Sequence, residues 1–353
     1  MRQLQTAEIG KLVEAFSPGA TWSEIAMPGG ASTRKYFRVS IQPKGQAEGD
    51  ARTAVAMFVP EGGKPEEIHK GAHAARWPFL EVRDLLAHHG IDVPKILVDA
   101  SEDGWLLIED LGEDTLANFL LRRPDEKKSV YTRAVTDLAH AQAALAELPE
   151  GSIVNTRAFD EDLLLWEIEH FREWGVEGRG LSFSPADREI FDGIASRLAK
   201  RIAALSRGFV HRDYQSRNLM VREDGSLVWI DFQDALLGPR VYDLVALLND
   251  SYQEFDRSFV EDRLREYAAA RGLPAEEAQA VVNEFDLVTV QRKLKDAGRF
   301  VFIDKTKNNP SFLKFVTPTV RKVKVALSRL SKNDHDMAAL DALLARTLGA
   351  EYA

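Results

Sequence analysis

The chain contains no cysteine. That absence excludes disulfides, thiolate zinc sites, CxxC redox chemistry and a cysteine nucleophile. No run approaches the ~18 apolar residues that a membrane-spanning helix needs. The opening stretch MRQLQTAEIGKLVEAF has no apolar core of signal-peptide type, so a cytoplasmic protein without membrane attachment is expected. A basic excess is also missing. With 46 Lys and Arg against 55 Asp and Glu, the net charge is −9, the wrong sign for a nucleic-acid footprint. Neither internal repeats nor low-complexity segments occur. What remains is 353 residues, 45% hydrophobic, enough to bury a core in about two lobes.

Periodicity divides the chain unevenly. Leu4, Ile9, Leu12, Val13 and Phe16 recur at helical spacing before SPGAT breaks the pattern. SEIAM, KYFRVSI and TAVAMFV then read as three antiparallel strands. Residues 65–89 read as helical. GIDVPKILVDA and GWLLIEDLG read as two more strands around a turn at Asp103 and Gly104. Beyond Leu111 the helical period dominates, with helices expected near 114–122, 127–147, 159–174, 185–205, 239–252, 255–270, 275–300 and 311–348. A loop is expected near 304–311, and a polar segment over 206–240. The expected fold is α+β and bilobal, with a small antiparallel β lobe over 1–110 and a larger helical lobe over 111–353.

The polar segment carries the chemistry. GFVHRDYQSRNLM places Asp213 behind His211 and Arg212, with Asn218 five residues after Asp213. Asp231 follows thirteen residues later, at the end of the apolar run SLVWI. H-R-D-x-x-x-x-N followed by a strand-terminal Asp is the spacing of a phosphoryl-transfer loop. In that arrangement Asp213 accepts the proton of the acceptor hydroxyl. Asn218 and Asp231 supply hard oxygen ligands for Mg²⁺ on a nucleotide triphosphate. His211 and Arg212 are expected to orient the loop.

The segment FVHRDYQSRNLM…WIDFQDALLGPRVYDLVALL resembles the aminoglycoside phosphotransferase/choline kinase family, which has the protein-kinase-like fold. Gln233 stands where protein kinases carry Gly, and GPRVYDL follows as in the small-molecule kinases. The resemblance implies that Asp243 supports the active-site loops. GGASTRKYFRV, LLIEDLG, HRDYQSRNLM and QRKLKDAGRF further resemble the anomeric N-acetylmuramate/N-acetylglucosamine kinases of cell-wall recycling, over nearly the whole chain. This implies ATP and Mg²⁺ as cofactors, a small sugar as acceptor, and C1 as the hydroxyl phosphorylated.

On the nucleotide side, Gly29 and Gly30 admit close backbone approach to phosphates, and Ser32 and Thr33 add hydroxyls. The third strand lacks the usual Lys. Arg34, Lys35, Arg38 and Lys64 are the nearest replacements, with Arg34 favoured. Arg34, Tyr36 and Arg38 share one strand face. LLIEDLG is the expected hinge, with backbone contacts to the base from Glu109 and Leu111, while Asp110 and Glu113 face solvent or the ribose. On the acceptor side the candidates are Glu167, Phe171, Arg292 and Asp234. Trp166, His170 and Trp174 form a helical stripe next to Glu167. Arg292, Lys295 and Arg299 offer cations for a lactyl carboxylate. Two rival readings are a phosphotransferase for aminoglycosides or other small alcohols, and a nucleotide-binding pseudokinase scaffold.

Overall fold

Alternating apolar residues form short strands early in the chain, and apolar residues three and four apart form helices later. The structure is a computed structural model and describes residues 2–28, 34–45, 51–60 and 76–352. In chain order its main elements are α1 (Arg2–Phe16), β1 (Thr21–Ala26), β2 (Lys35–Gln42), β3 (Arg52–Phe58), α2 (Pro78–His88), β4 (Ile96–Ala100), β5 (Trp105–Glu109), α3 (Leu116–Arg122) and α4 (Lys127–Ala144). There follow α5 (Glu161–His170), α6 (Pro185–Ala203), β6 (Arg207–Val210), β7 (Leu219–Val221), β8 (Leu227–Trp229), β9 (Leu236–Pro239), α7 (Tyr242–Leu248), α8 (Arg257–Ala270), α9 (Ala275–Lys307), α10 (Val316–Leu330) and α11 (His335–Leu348). The chain divides into two compact units. One comprises Met1–Phe119 with Leu219–Gln233, the other Leu120–Asn218 with Asp234–Ala353.

The first unit holds a five-stranded antiparallel sheet in the order β1-β2-β3-β5-β4. Because strand side chains alternate, Val39 and Ile41, Ala54 and Ala56, and Trp105 and Leu107 turn to one face. There Ile9, Leu12 and Val13 of α1 close the core. Gly104, at φ +84°, makes the turn between β4 and β5. The β7–β8 hairpin belongs to this unit too. Val221 N–H donates to Asp114 O at 2.8 Å, Trp229 N–H donates to Asp92 O at 2.9 Å, and Phe232 stacks on Phe79 at 5.1 Å.

The second unit is helical apart from the short β6–β9 pair. Gln142 of α4 braces that pair, its amide donating to the carbonyls of Phe209 and Arg240 at 3.1 Å each. The spine is α9, 33 residues long and so about 50 Å. Gly298 lets α9 lie directly on the backbone at the end of α5, since a Cβ there would sit 2.8 Å from His170 O.

Two expected boundaries are corrected. The predicted end of a helix at 300, with a loop from 304, gives way to a helix that runs to Lys307 and stops at Asn308, whose φ of +52° is left-handed. The single helix expected over 311–348 is two helices. Asp334 caps the second by accepting the N–H groups of Asp336 and Met337. Among the described residues no helix is long and apolar enough to cross a membrane.

Candidate active site

Strand β6 ends at Val210 and delivers His211, Arg212 and Asp213 in succession. The backbone turns sharply there: Arg212 has φ +79°, a region that L-residues rarely occupy. Four hydrogen bonds hold it. Asp243, at the start of α7, accepts the His211 N–H at 2.6 Å and the Arg212 N–H at 3.0 Å. From α9, Arg292 donates to the Arg212 carbonyl at 2.8 Å. His211 Nδ1 accepts the Asp213 N–H at 3.3 Å. The loop then closes on itself. Gln215 N–H donates to Asp213 O, Asn218 N–H to Gln215 O, and Asn218 Nδ2 to Asp213 O at 2.9 Å. With its amide nitrogen so engaged, Asn218 keeps its side-chain oxygen for another partner.

The surrounding cations favour the ionised form of Asp213. Burial alone would raise the Asp213 carboxyl, but Arg292, Lys295, Arg212 and His211 together hold it below the ordinary carboxylate range. Its side chain is 38% exposed, with Arg292 3.5 Å from one oxygen. Asp243 goes the other way. Burial pushes it up to about 7, against the pull of the His211 and Arg212 N–H groups and Arg292.

In the first unit, Asp231 lies directly after β8. Its φ of +63° is left-handed, which Asp tolerates better than most residues. Its carboxylate is 40% exposed and pairs with Arg34 at 3.0 Å. Arg34 also donates to Gln233 Oε1 at 2.8 Å and to the Tyr36 hydroxyl at 3.3 Å. Arg38 is engaged elsewhere. It pairs with Asp110 at 2.9 Å and Glu113 at 2.8 Å, so Asp110, expected to face solvent or ribose, has a side chain only 5% exposed. At the expected hinge the Glu109 N–H bonds to Lys95 O at 2.9 Å, its carboxylate pairs with Arg222 at 3.1 Å, and Leu111 is half-buried. Gly29, Gly30, Ser32, Thr33 and Lys64 lie outside the described residues.

The residues expected on the acceptor side lie as follows. Trp166 and His170 do stack at 5.5 Å, but Glu167 is 1% exposed and accepts from Gln291 at 2.7 Å. Phe171 is fully buried and opens a π-helical turn, Phe171–Val176, where its ring lies over Gly175. Arg292 is 3% exposed, stacked on Tyr242 and committed to the Arg212 carbonyl and Asp213. Of these three, Arg292 is the one hydrogen-bonded to the loop. Asp234 is half-buried just before β9.

Several residues escaped the sequence reading. Asp250 is buried and accepts from Ser216 N at 3.1 Å and Ser216 Oγ at 2.5 Å, fixing the middle of the loop. Asp296 lies between Lys293 at 2.8 Å and Lys295 at 3.2 Å. Lys293, Lys295 and Arg292 hold its carboxyl well below the usual range despite burial. Arg217 stacks on Tyr252 at 3.5 Å. The only sequence signal was the polar NDSY after an apolar run.

An antiparallel β unit with a helical unit is the make-up of the protein-kinase-like fold, and the chain is a phosphotransferase of that class. Residues 24–278 match the phosphotransferase enzyme family, and the chain belongs to it. The chain is 32% identical over 336 residues to a protein of Neisseria meningitidis serogroup B named N-acetylmuramate/N-acetylglucosamine kinase, covering 91% of this chain and 89% of that one. A Pseudomonas putida protein of the same name is 32% identical over 304 residues, covering 83% of this chain and 81% of its own length. Among solved structures, choline kinase LicA of Streptococcus pneumoniae superposes with a TM-score of 0.58 at 15% identity, over 94% of this chain and 99% of that one. At that identity the likeness concerns the fold alone.

Proposed function

We propose that the protein transfers the γ-phosphoryl group of ATP to the C1 hydroxyl of an N-acetylated amino sugar, N-acetylmuramate or N-acetylglucosamine. The observation that carries this reading is Asp213: ionised, partly exposed, and held by Arg292, Asp243 and His211 on a strained turn. A carboxylate kept below its usual range is a weak base. It suits an acceptor whose proton leaves easily, and an anomeric hydroxyl is more acidic than an ordinary alcohol. In a loose phosphoryl-transfer transition state the base needs to orient the hydroxyl more than to ionise it beforehand. The names of the relatives at 32% identity support the same acceptor class.

The residues fit a divalent cation of the Mg²⁺ kind. Among the described residues the Asn218 amide oxygen has no hydrogen-bond partner, and Asp231 offers a half-exposed carboxylate; both are hard donors. When bound, Mg²⁺ neutralises charge on the β- and γ-phosphates. Asn218 and Asp231 would hold it, and Arg34, which pairs with Asp231, supplies the phosphate-facing cation that the third strand lacks. The glycine-rich stretch with Gly29, Gly30, Ser32 and Thr33 would meet the phosphates, and the backbone of Glu109 and Leu111 would meet the base.

A coupled assay of ADP release with N-acetylmuramate, N-acetylglucosamine, kanamycin and choline tests the reading. Turnover of the two sugars is expected, and Asp213→Asn should lower kcat by ~10²–10⁴-fold while ATP still binds in calorimetry. Turnover of kanamycin or choline alone would overturn the acceptor. Wild-type kcat in the Asp213→Asn variant would overturn the role of Asp213.

A further inference from the structure

We infer that Arg217 is the residue that reads a carboxylate on the acceptor, and so sets the preference between an acidic and a neutral amino sugar. The inference rests on the sugar-kinase reading above and deepens it. Arg217 sits inside the loop that joins Asp213 to Asn218. Three hydrogen bonds fold that loop on itself, so chain connectivity alone keeps Arg217 close to the base. Asp250 grips the neighbouring Ser216 through both its N–H and its hydroxyl, and accepts the Tyr252 N–H at 2.9 Å. One buried carboxylate thus fixes both the loop and the aromatic residue on which Arg217 rests.

Arg217 is exposed, yet its guanidinium is ordered by ring contacts. It lies 3.5 Å from the centroid of Tyr252 and 6.0 Å from that of Phe315, and those two rings meet edge to face at 4.7 Å. Among the described residues no carboxylate pairs with it. The other cations of the loop's surroundings are committed: Arg292 to the Arg212 carbonyl and Lys295 to Asp296. Burial pushes the Tyr252 phenol up to about 12. Arg217 opposes that rise while Asp296, Asp250 and Asp213 add to it, so Arg217 and Asp213 both act on this one ring.

A guanidinium stacked by its face keeps its edge donors for a bidentate partner, and the stacking lowers the entropy lost when that partner arrives. The matching ligand group is a planar carboxylate. N-acetylmuramate carries one on its lactyl ether and N-acetylglucosamine does not. Arg217 therefore adds binding for the first sugar only, while the Tyr252 and Phe315 rings suit the apolar face of either.

The test is steady-state kinetics on both sugars for wild type, Arg217→Gln and Arg217→Lys, with the melting temperature of each variant as a check on folding. In Arg217→Gln the ratio of kcat/KM for N-acetylmuramate to that for N-acetylglucosamine should fall ~10- to 100-fold, the loss of a charge-assisted pair. Most of the change should lie in KM for N-acetylmuramate, and Lys should recover part of it. An unchanged ratio would overturn the assignment. So would a rise in KM for ATP with equal losses on both sugars, which would place Arg217 on the nucleotide phosphates. A wild-type protein inert toward both sugars would instead sink the proposed function, and this assignment with it.

Discussion

Asp243 illustrates how one buried carboxyl can fix the turn of a loop. Its carboxyl accepts the two backbone N–H groups that make the left-handed turn at Arg212 possible. It is fully buried, and burial lifts it from the ordinary 3.8 to about 7. A carboxyl whose native value is raised binds its proton more tightly when folded. Its contribution to stability is then complete below the unfolded value and is lost as pH rises through about 7. Asp213, held low, has the opposite sign and acts only at more acid pH. Asp243→Asn should therefore lose less melting temperature than wild type between pH 5 and pH 8, as followed by scanning calorimetry. Parallel losses in the two proteins would show that Asp243 does not titrate in that window.

At the scale of elements, the strands were legible as short β-rich runs bounded by turn residues. TAVAMFV and GWLLIEDLG are nearly continuous apolar runs because consecutive residues of β3 and β5, on both faces, are buried, and the motif loop was legible from spacing. What sequence could not show was which helix face looks inward. Trp166, His170 and Trp174 do form a stripe, but the adjoining Glu167 is turned to Gln291 because α9 crosses there. That crossing depends on Gly298, whose place in the middle of a helical period carried no signal. A Cβ at Gly298 would sit 2.8 Å from His170 O and 2.9 Å from Phe171 Cα. Both are backbone atoms, which cannot move aside by changing rotamer. Gly298→Ala should cost ~1–3 kcal/mol, a fall of roughly 2–4 °C in melting temperature per kcal/mol. An unchanged melting temperature would mean that the two helices separate without penalty. Arg217 escaped for a related reason: the partner that gives it meaning, Tyr252, lies beyond an entire helix in sequence.

For the molecule as a whole, the path of the chain matters more than any one contact. It passes from the first unit to the second after Phe119, returns for Leu219–Gln233, and leaves again. The β7–β8 hairpin and Asp231 are thus encoded far from the rest of their unit, and the ties at Asp114 and Asp92 are non-local. A fragment cut at residue 119 would carry all five strands of the sheet and still be an unfinished folding unit. Produced alone, it should melt without a cooperative transition. Grafting 219–233 onto its end through a flexible linker should restore one. A sharp transition in the short fragment would show that the hairpin is dispensable. The same path implies that genetic dissection or domain shuffling at that junction would part Asp231 from the scaffold on which it is mounted.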